Sequence, residues 1–176
     1  MMTDIAPASS TLDYELHSLE EILGVEASRD FQSRLPLSPE DLLTRGILHR
    51  AGRAGFHYWM KNARGRLKWH DPEFRFSPIK KKIAQGLQLI CDMINEEKGQ
   101  LLLFENQPDH WEVLILPNVN KEITSPMMNS NYLSGFLQEF TSWAGLGKFY
   151  RVTTSNIQKE NGLCCCICIE KKPIDF

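Results

Sequence analysis

Apolar positions along the chain fall into two rhythms. A spacing of three and four marks helices, and alternation or a short apolar run marks strands. Residues 1–13 are small and polar and read as a tail. Tyr14 to Val25 carries Leu16, Leu19, Ile22 and Leu23, a short helical stripe, and Leu35-Pro36-Leu37 interrupts it. A second start follows. Ser38 suits a cap, Pro39 the first helical position, and Glu40 and Asp41 the positive end of the dipole. That helix is expected to run to about Ala63, with Leu43, Ile47, Ala51, Ala54 and Tyr58 as its face. Gly65 to Phe76 reads as loop. Ser77-Pro78 opens another helix with the stripe Ile79, Ile83, Leu87, Ile90 and Ile94, and Gly99 fits its end. Leu101–Glu105 and Trp111–Leu116 flank the turn Asn106-Gln107-Pro108-Asp109 and read as a hairpin. Asn118–Ser125 reads as loop. A helix from Met128 to Trp143 and two closing strands, Phe149–Ser155 and Leu163–Glu170, complete the pattern. The order predicts an α+β fold: an antiparallel sheet of about four strands with helices packed on one face.

Glycines 46, 52 and 55 lie inside the first long helix, where each costs about 1 kcal/mol against alanine. They imply close approach by another backbone, or room for a bound molecule. Aromatic residues Tyr58, Trp59, Trp69, Trp111, Tyr132, Phe136, Phe140 and Trp143 fall on elements expected to meet. Such residues form cores, and they also line apolar cavities.

Composition excludes more than it assigns. Apolar residues make up 42% of 176, charged residues 24%, and the formal net charge is −2. Near-neutrality offers no general attraction to nucleic acid. Lys61, Arg64, Arg66, Lys68 and Lys80–Lys82 cluster locally, as a solvated surface or as an anion or partner patch. Met1–Ser10 lacks the pattern of a signal peptide, and no stretch approaches the roughly 18 apolar residues of a membrane span. A cytoplasmic protein is expected, with peripheral membrane contact left open.

Catalytic signatures are missing. No GxxxxGK, GxGxxG, GxSxG or HExxH run occurs. The histidines His17, His49, His57, His70 and His110 are scattered, and the paired carboxylates fall at helix starts or on exposed helix faces. A non-enzymatic protein is expected. Cys164-Cys165-Cys166-Ile167-Cys168 makes a poor disulfide framework, because successive strand side chains point to opposite faces. Buried strand positions, metal ligation, and acylation or redox chemistry remain the alternatives.

Three runs carry a family resemblance: Ile47-Leu48-His49-Arg50-Ala51-Gly52-Arg53-Ala54-Gly55, then Leu133-Ser134-Gly135-Phe136-Leu137, then Asn161-Gly162-Leu163-Cys164-Cys165-Cys166-Ile167-Cys168-Ile169. In order and spacing, over roughly residues 40–172, they resemble the 4-vinyl-reductase domain family of hydrocarbon-binding type. The resemblance implies a tail and short helix over 1–37 and a ligand-binding domain over 38–176. Its fold would be shared with NO-signalling and Golgi-transport ligand-binding domains. It also implies an apolar pocket between helices and sheet, often in a dimer. Related cyanobacterial proteins occur beside photosystem assembly factors, so a tetrapyrrole, pigment or lipid is the implied ligand class. The glycines and aromatics named above supply the expected lining, Gly52, Gly55, Trp59, Trp111, Tyr132, Phe136 and Phe140, and the resemblance matches Trp111 to a pocket tryptophan of the phenol-responsive activators that share the fold. Zinc-holding members use cysteines and a glutamate. Here the corresponding positions look like Asn131, Thr154, Ile157 and Cys165 or Cys166, so no metal is expected. The Tyr-x-Ser-x-Arg motif of the haem sensors is absent, and no cofactor is expected. A homodimer is expected through the apolar face of Leu16, Leu19, Ile22 and Leu23. The alternative is a scaffold or assembly factor working through protein partners, in photosystem assembly or chlorophyll biosynthesis.

Overall fold

The computed structural model describes residues 11–34, 41–63, 68–98, 101–117, 129–160 and 162–175. Helix α1 (Thr11–Leu23) ends at Gly24, whose φ of +85° is the left-handed conformation that closes helices, and α2 (Val25–Arg34) begins at once. Helix α2 was not anticipated. Its sequence is mostly polar, Phe31 packs half-buried against the core, and no stripe marks it.

Helix α3 (Leu42–Ala63) starts where the Asp41 carboxylate accepts the Thr44 N–H at 3.3 Å. The expected caps Ser38 and Pro39 lie outside the described residues. The buried face of α3 is Leu48, Ala51, Gly52, Gly55, Phe56 and Trp59. The helical period is as expected, but its phase is turned: Leu43 is 71% exposed. Glycines contribute nothing to a hydrophobic count, yet here they sit at the centre of the packed face.

Between α3 and the next long helix lie a 3-10 turn (Lys68–His70) and the short α4 (Pro72–Arg75), in the segment expected to be loop. Helix α5 (Ile79–Lys98) buries Ile83, Leu87, Ile90 and Ile94, the stripe read from the sequence. The hairpin β1 (Leu102–Asn106) and β2 (His110–Ile115) follows, then α6 (Ser130–Ala144), β3 (Tyr150–Lys159) and β4 (Gly162–Pro173). Asn129 caps α6 by accepting the Asn131 N–H at 2.8 Å, and Gly145 ends it.

The four strands form one antiparallel sheet in the order β1-β2-β4-β3. Its inner face carries Leu102, Phe104, Trp111, Val113, Ile115, Ile167 and Ile169. Helix α5 lies on β1 and β2, α6 lies on β3 and β4, α3 crosses α6, and α1 packs on α3. Asn95 fastens α5 to the sheet, donating to the Leu102 carbonyl at 2.9 Å and accepting its N–H at 2.6 Å. The protein is therefore α+β, with an antiparallel four-stranded sheet and its helices to one side.

The apolar face of α1 is spent inside the chain. Leu19 is buried against α3, and Ile22 and Leu23 pack on the same core. Three of the four residues of the expected homodimer face, Leu19, Ile22 and Leu23, are thus engaged within the chain, and the Leu16 side chain lies outside the described ones.

Candidate functional site

The glycines hold two helices at backbone contact. A Cβ on Gly52 would lie 1.9 Å from the Tyr132 carbonyl oxygen and 2.8 Å from the Phe136 nitrogen. Reciprocally, a Cβ on Gly135 would lie 1.9 Å from the His49 carbonyl oxygen. Gly55 faces the Tyr132 hydroxyl at the same 1.9 Å. The crossing presses an aromatic layer together. Trp59 meets Phe136 at 5.3 Å between ring centres, Phe56 meets Phe136 at 5.5 Å, and Phe140 lies over Gly86 of α5.

Gly52, Gly55, Trp59, Tyr132, Phe136 and Phe140 thus come together at one helix crossing. Trp111 lies apart from that layer. It is buried on the inner face of β2, with Tyr150 at 6.1 Å and the Lys171 ammonium over its ring. Among the described residues these rings pack on one another and on Gly86.

Open space lies one layer out, around Trp69. The Trp69 ring stacks on Trp143 (5.1 Å, 30° between planes) and on Phe74 (5.9 Å, 10°). The Trp69-His70-Asp71-Pro72 run makes this possible. The 3-10 turn swings the indole inward, and Pro72 starts α4 so that Phe74 returns over it. One cleft of about 340 Å³ is lined by Trp69, His70, Phe74, Arg75, Lys82 and Trp143, and continues over Ala144 and Leu146. A second of about 480 Å³ opens on the other side of Phe74, toward Lys81, Gln85 and Leu89. Trp69 is 4% exposed, and its indole N–H has no hydrogen-bond partner among the described residues. Sequence reasoning had Trp69 and Trp143 among the aromatics but did not assign them to a site. The signal was a tryptophan in a polar loop beside a proline.

A third cleft, of about 490 Å³, lies between α1, α3 and α6 and is polar. Glu139 accepts from Arg53 at 2.7 Å and pairs with His57 at 2.8 Å. Burial opposes ionisation of Glu139, but these two partners outweigh it and hold the carboxyl below its ordinary range.

All five cysteines are free thiols. Cys164, Cys166 and Cys168 alternate onto the outer face of β4, and Cys164 and Cys166 are buried. Burial pushes the Cys166 thiol up to about 11 and the Cys91 thiol of α5 up to about 12. Such thiols stay protonated and are poor nucleophiles. Asn131 lies in the first turn of α6 and donates its N–H to the Asn129 cap, while Thr154 pairs with Ile167 and Ile157 with Cys164. Among the described residues, no three His, Cys, Asp or Glu side chains gather to hold a metal ion. No helix among them is long and apolar enough to cross a membrane.

No family model matches the sequence, and no curated protein matches it either. Solved structures do match the fold. A structure solved to probe haem distortion in the H-NOX family superposes with a TM-score of 0.55 at 12% identity, over 94% of this chain and 96% of that one. A mutant H-NOX of T. tengcongensis gives 0.53 at 12% identity, over 93% and 97%. The Fe(II) unliganded H-NOX protein of K. algicida gives 0.51 at 10% identity, over 94% and 97%. The chain therefore has the fold of the H-NOX domains. This overturns the resemblance to the 4-vinyl-reductase family. The three runs behind that resemblance lie where packing is tight: two glycine-bearing helices that cross closely, and a strand in which Cys164 and Cys166 are buried.

The relatives in fold imply haem, and the residues present do not fit it. Protein-held haem iron takes an axial ligand such as a histidine or a thiolate. All five histidines are described. His17, His57 and His70 are exposed. His49 is half-buried at the helix crossing. His110 stands at the start of β2, held by Asp109 and Glu112. The buried Cys91 thiol is protonated. Phe56, Phe136 and Phe140 already fill the space between α3, α5 and α6.

Proposed function

We propose that this chain is a non-enzymatic binding domain for a small hydrophobic molecule. It uses the H-NOX fold without haem and takes its ligand in the aromatic cleft at Trp69. The observation that carries the reading is the shelf of Phe74, Trp69 and Trp143, three stacked rings bordering a cleft of about 340 Å³. Ligand pockets of small molecules are about this size or larger and are lined by aromatic side chains with few polar groups. The closely packed interior argues against the helix-to-sheet pocket and for this outer one.

Trp143→Ala removes one end of the shelf at a position that is 39% exposed, so the fold should survive. The parent is expected to retain or bind an apolar aromatic molecule with quenching of tryptophan fluorescence, and the variant to lose that binding at least tenfold. Equal binding by both proteins would refute the site.

A second reading is a protein segment as occupant, since Leu146, which lines the same cleft, is 77% exposed. A co-purifying protein with no small molecule, lost on Trp143→Ala, would favour it.

A further inference from the structure

We infer that the ligand of the Trp69 cleft is an amphipathic anion: an apolar body that lies on the aromatic shelf and one carboxylate-like head at the cationic rim. The inference rests on the binding-domain reading above and adds the ligand's charge. Three features of the cleft point the same way.

The described lining holds three basic side chains, His70, Arg75 and Lys82, and no carboxylate. Among the described residues none of the three is ion-paired. Lys82 is the most informative. It is half-buried on α5 with its ammonium 5.9 Å from the centre of the Phe74 ring. The stem is packed against the aromatic shelf while, among the described residues, no carboxylate pairs with the ammonium. By contrast, in the third cleft Arg53 and His57 meet a carboxylate of the chain itself, Glu139, at 2.7 and 2.8 Å. The two clefts differ in this respect: one carries carboxylates of its own, Glu21 and Glu139, and the other leaves its positive charge for something else.

The third feature is the orphan donor. The Trp69 indole N–H is buried without an acceptor among the described residues, in the wall that both clefts at this end share. Leaving such a donor unpaired costs about 1–3 kcal/mol, and because the atom is itself out of contact with solvent a partner reaches it only as the Trp69 ring shifts to admit one. An acceptor oxygen on the ligand supplies it. A neutral hydrocarbon would satisfy the shelf but neither the indole nor the lysine. An inorganic anion would satisfy the rim but leave the rings bare.

The test uses the full chain and two probes of one shape, naphthoate and naphthylmethanol, followed by tryptophan fluorescence and by the indole N–H resonance of Trp69. Naphthoate is expected to bind at least tenfold more tightly than the alcohol and to shift the Trp69 indole resonance. Lys82→Gln and Arg75→Gln, both outside the packed core, should each erase most of that preference by weakening naphthoate more than the alcohol. Equal affinity for the two probes overturns the inference and leaves the binding-domain reading intact. A preference for naphthoate that survives both substitutions also overturns it. Failure of both probes to bind at millimolar concentration overturns the inference and that reading together. Sedimentation with phosphatidylglycerol vesicles, abolished by Arg75→Gln, would refute a soluble ligand by assigning the rim to a membrane surface.

Discussion

Replacing Gly52 with alanine perturbs the tightest point of the structure with the smallest possible side chain. The new Cβ would fall 1.9 Å from the Tyr132 carbonyl oxygen and 2.8 Å from the Phe136 nitrogen, where real Cβ contacts essentially never fall below 3.0 Å. Both obstacles are backbone atoms of α6, so no rotamer change relieves the clash. The helices must move apart by about the missing ångström, and the reciprocal contact of Gly135 with His49 opens with them. Overpacking of this kind costs about 1–3 kcal/mol, sometimes more. Alanine recovers up to about 1 kcal/mol through its better helix propensity. The net expectation is a loss of about 2 kcal/mol, or a fall in Tm of roughly 4–8 °C for a chain of this size. Gly46 is the internal control. It lies in the same helix with nothing within 4 Å of its ideal Cβ, so Gly46→Ala should stabilise by about 1 kcal/mol. Urea and thermal unfolding of the two variants read the contrast directly. If Gly52→Ala is as stable as the parent, the close crossing of α3 and α6 is wrong, and with it the packed aromatic layer.

Glu139→Gln should destabilise modestly at neutral pH, by about 1 kcal/mol at most, because Arg53 and His57 are half exposed. Since Glu139 titrates below its usual range when folded, its contribution is present above the unfolded value and disappears as pH falls through the folded one. The variant and parent should therefore converge in acid, and a constant difference from pH 7 to pH 3 would contradict the pairing. Hydrogen bonds to Glu112 and then Asp109 raise His110 above its ordinary value. Its pairing is complete below the unfolded value and is lost as pH rises through the raised folded one. Proton NMR should place its titration above 6.5 in the parent and lower in Glu112→Gln; an unchanged midpoint would refute the bridge.

Much of the architecture was legible because it depends on periodicity. The stripe of α5 and the hairpin turn at Asn106–Asp109 encode themselves locally, and the closing strands alternate as strands must. The buried phase of α3 was not legible, because it is set by glycines whose value lies in what they let approach. Helix α2 was missed for the opposite reason: its side chains are mostly polar, and packing beside α1 organises it. For the candidate site, the sequence pointed to the aromatic residues but not to their division. Trp59, Phe136 and Phe140 close a core, while Trp69 and Trp143 border a cleft, and only the 3-10 turn at Lys68–His70 makes that difference. Short glycine and cysteine runs, read as a family resemblance, lie where packing is tight.

The most direct test of the proposed function is native mass spectrometry of the full chain purified from the cells that make it, with an absorption spectrum of the same sample. A ligand in the Trp69 cleft should appear as one organic molecule held non-covalently, without a haem absorption band, and should be absent from Trp143→Ala prepared in parallel. Stoichiometric haem, or a bound molecule that Trp143→Ala retains unchanged, would contradict it.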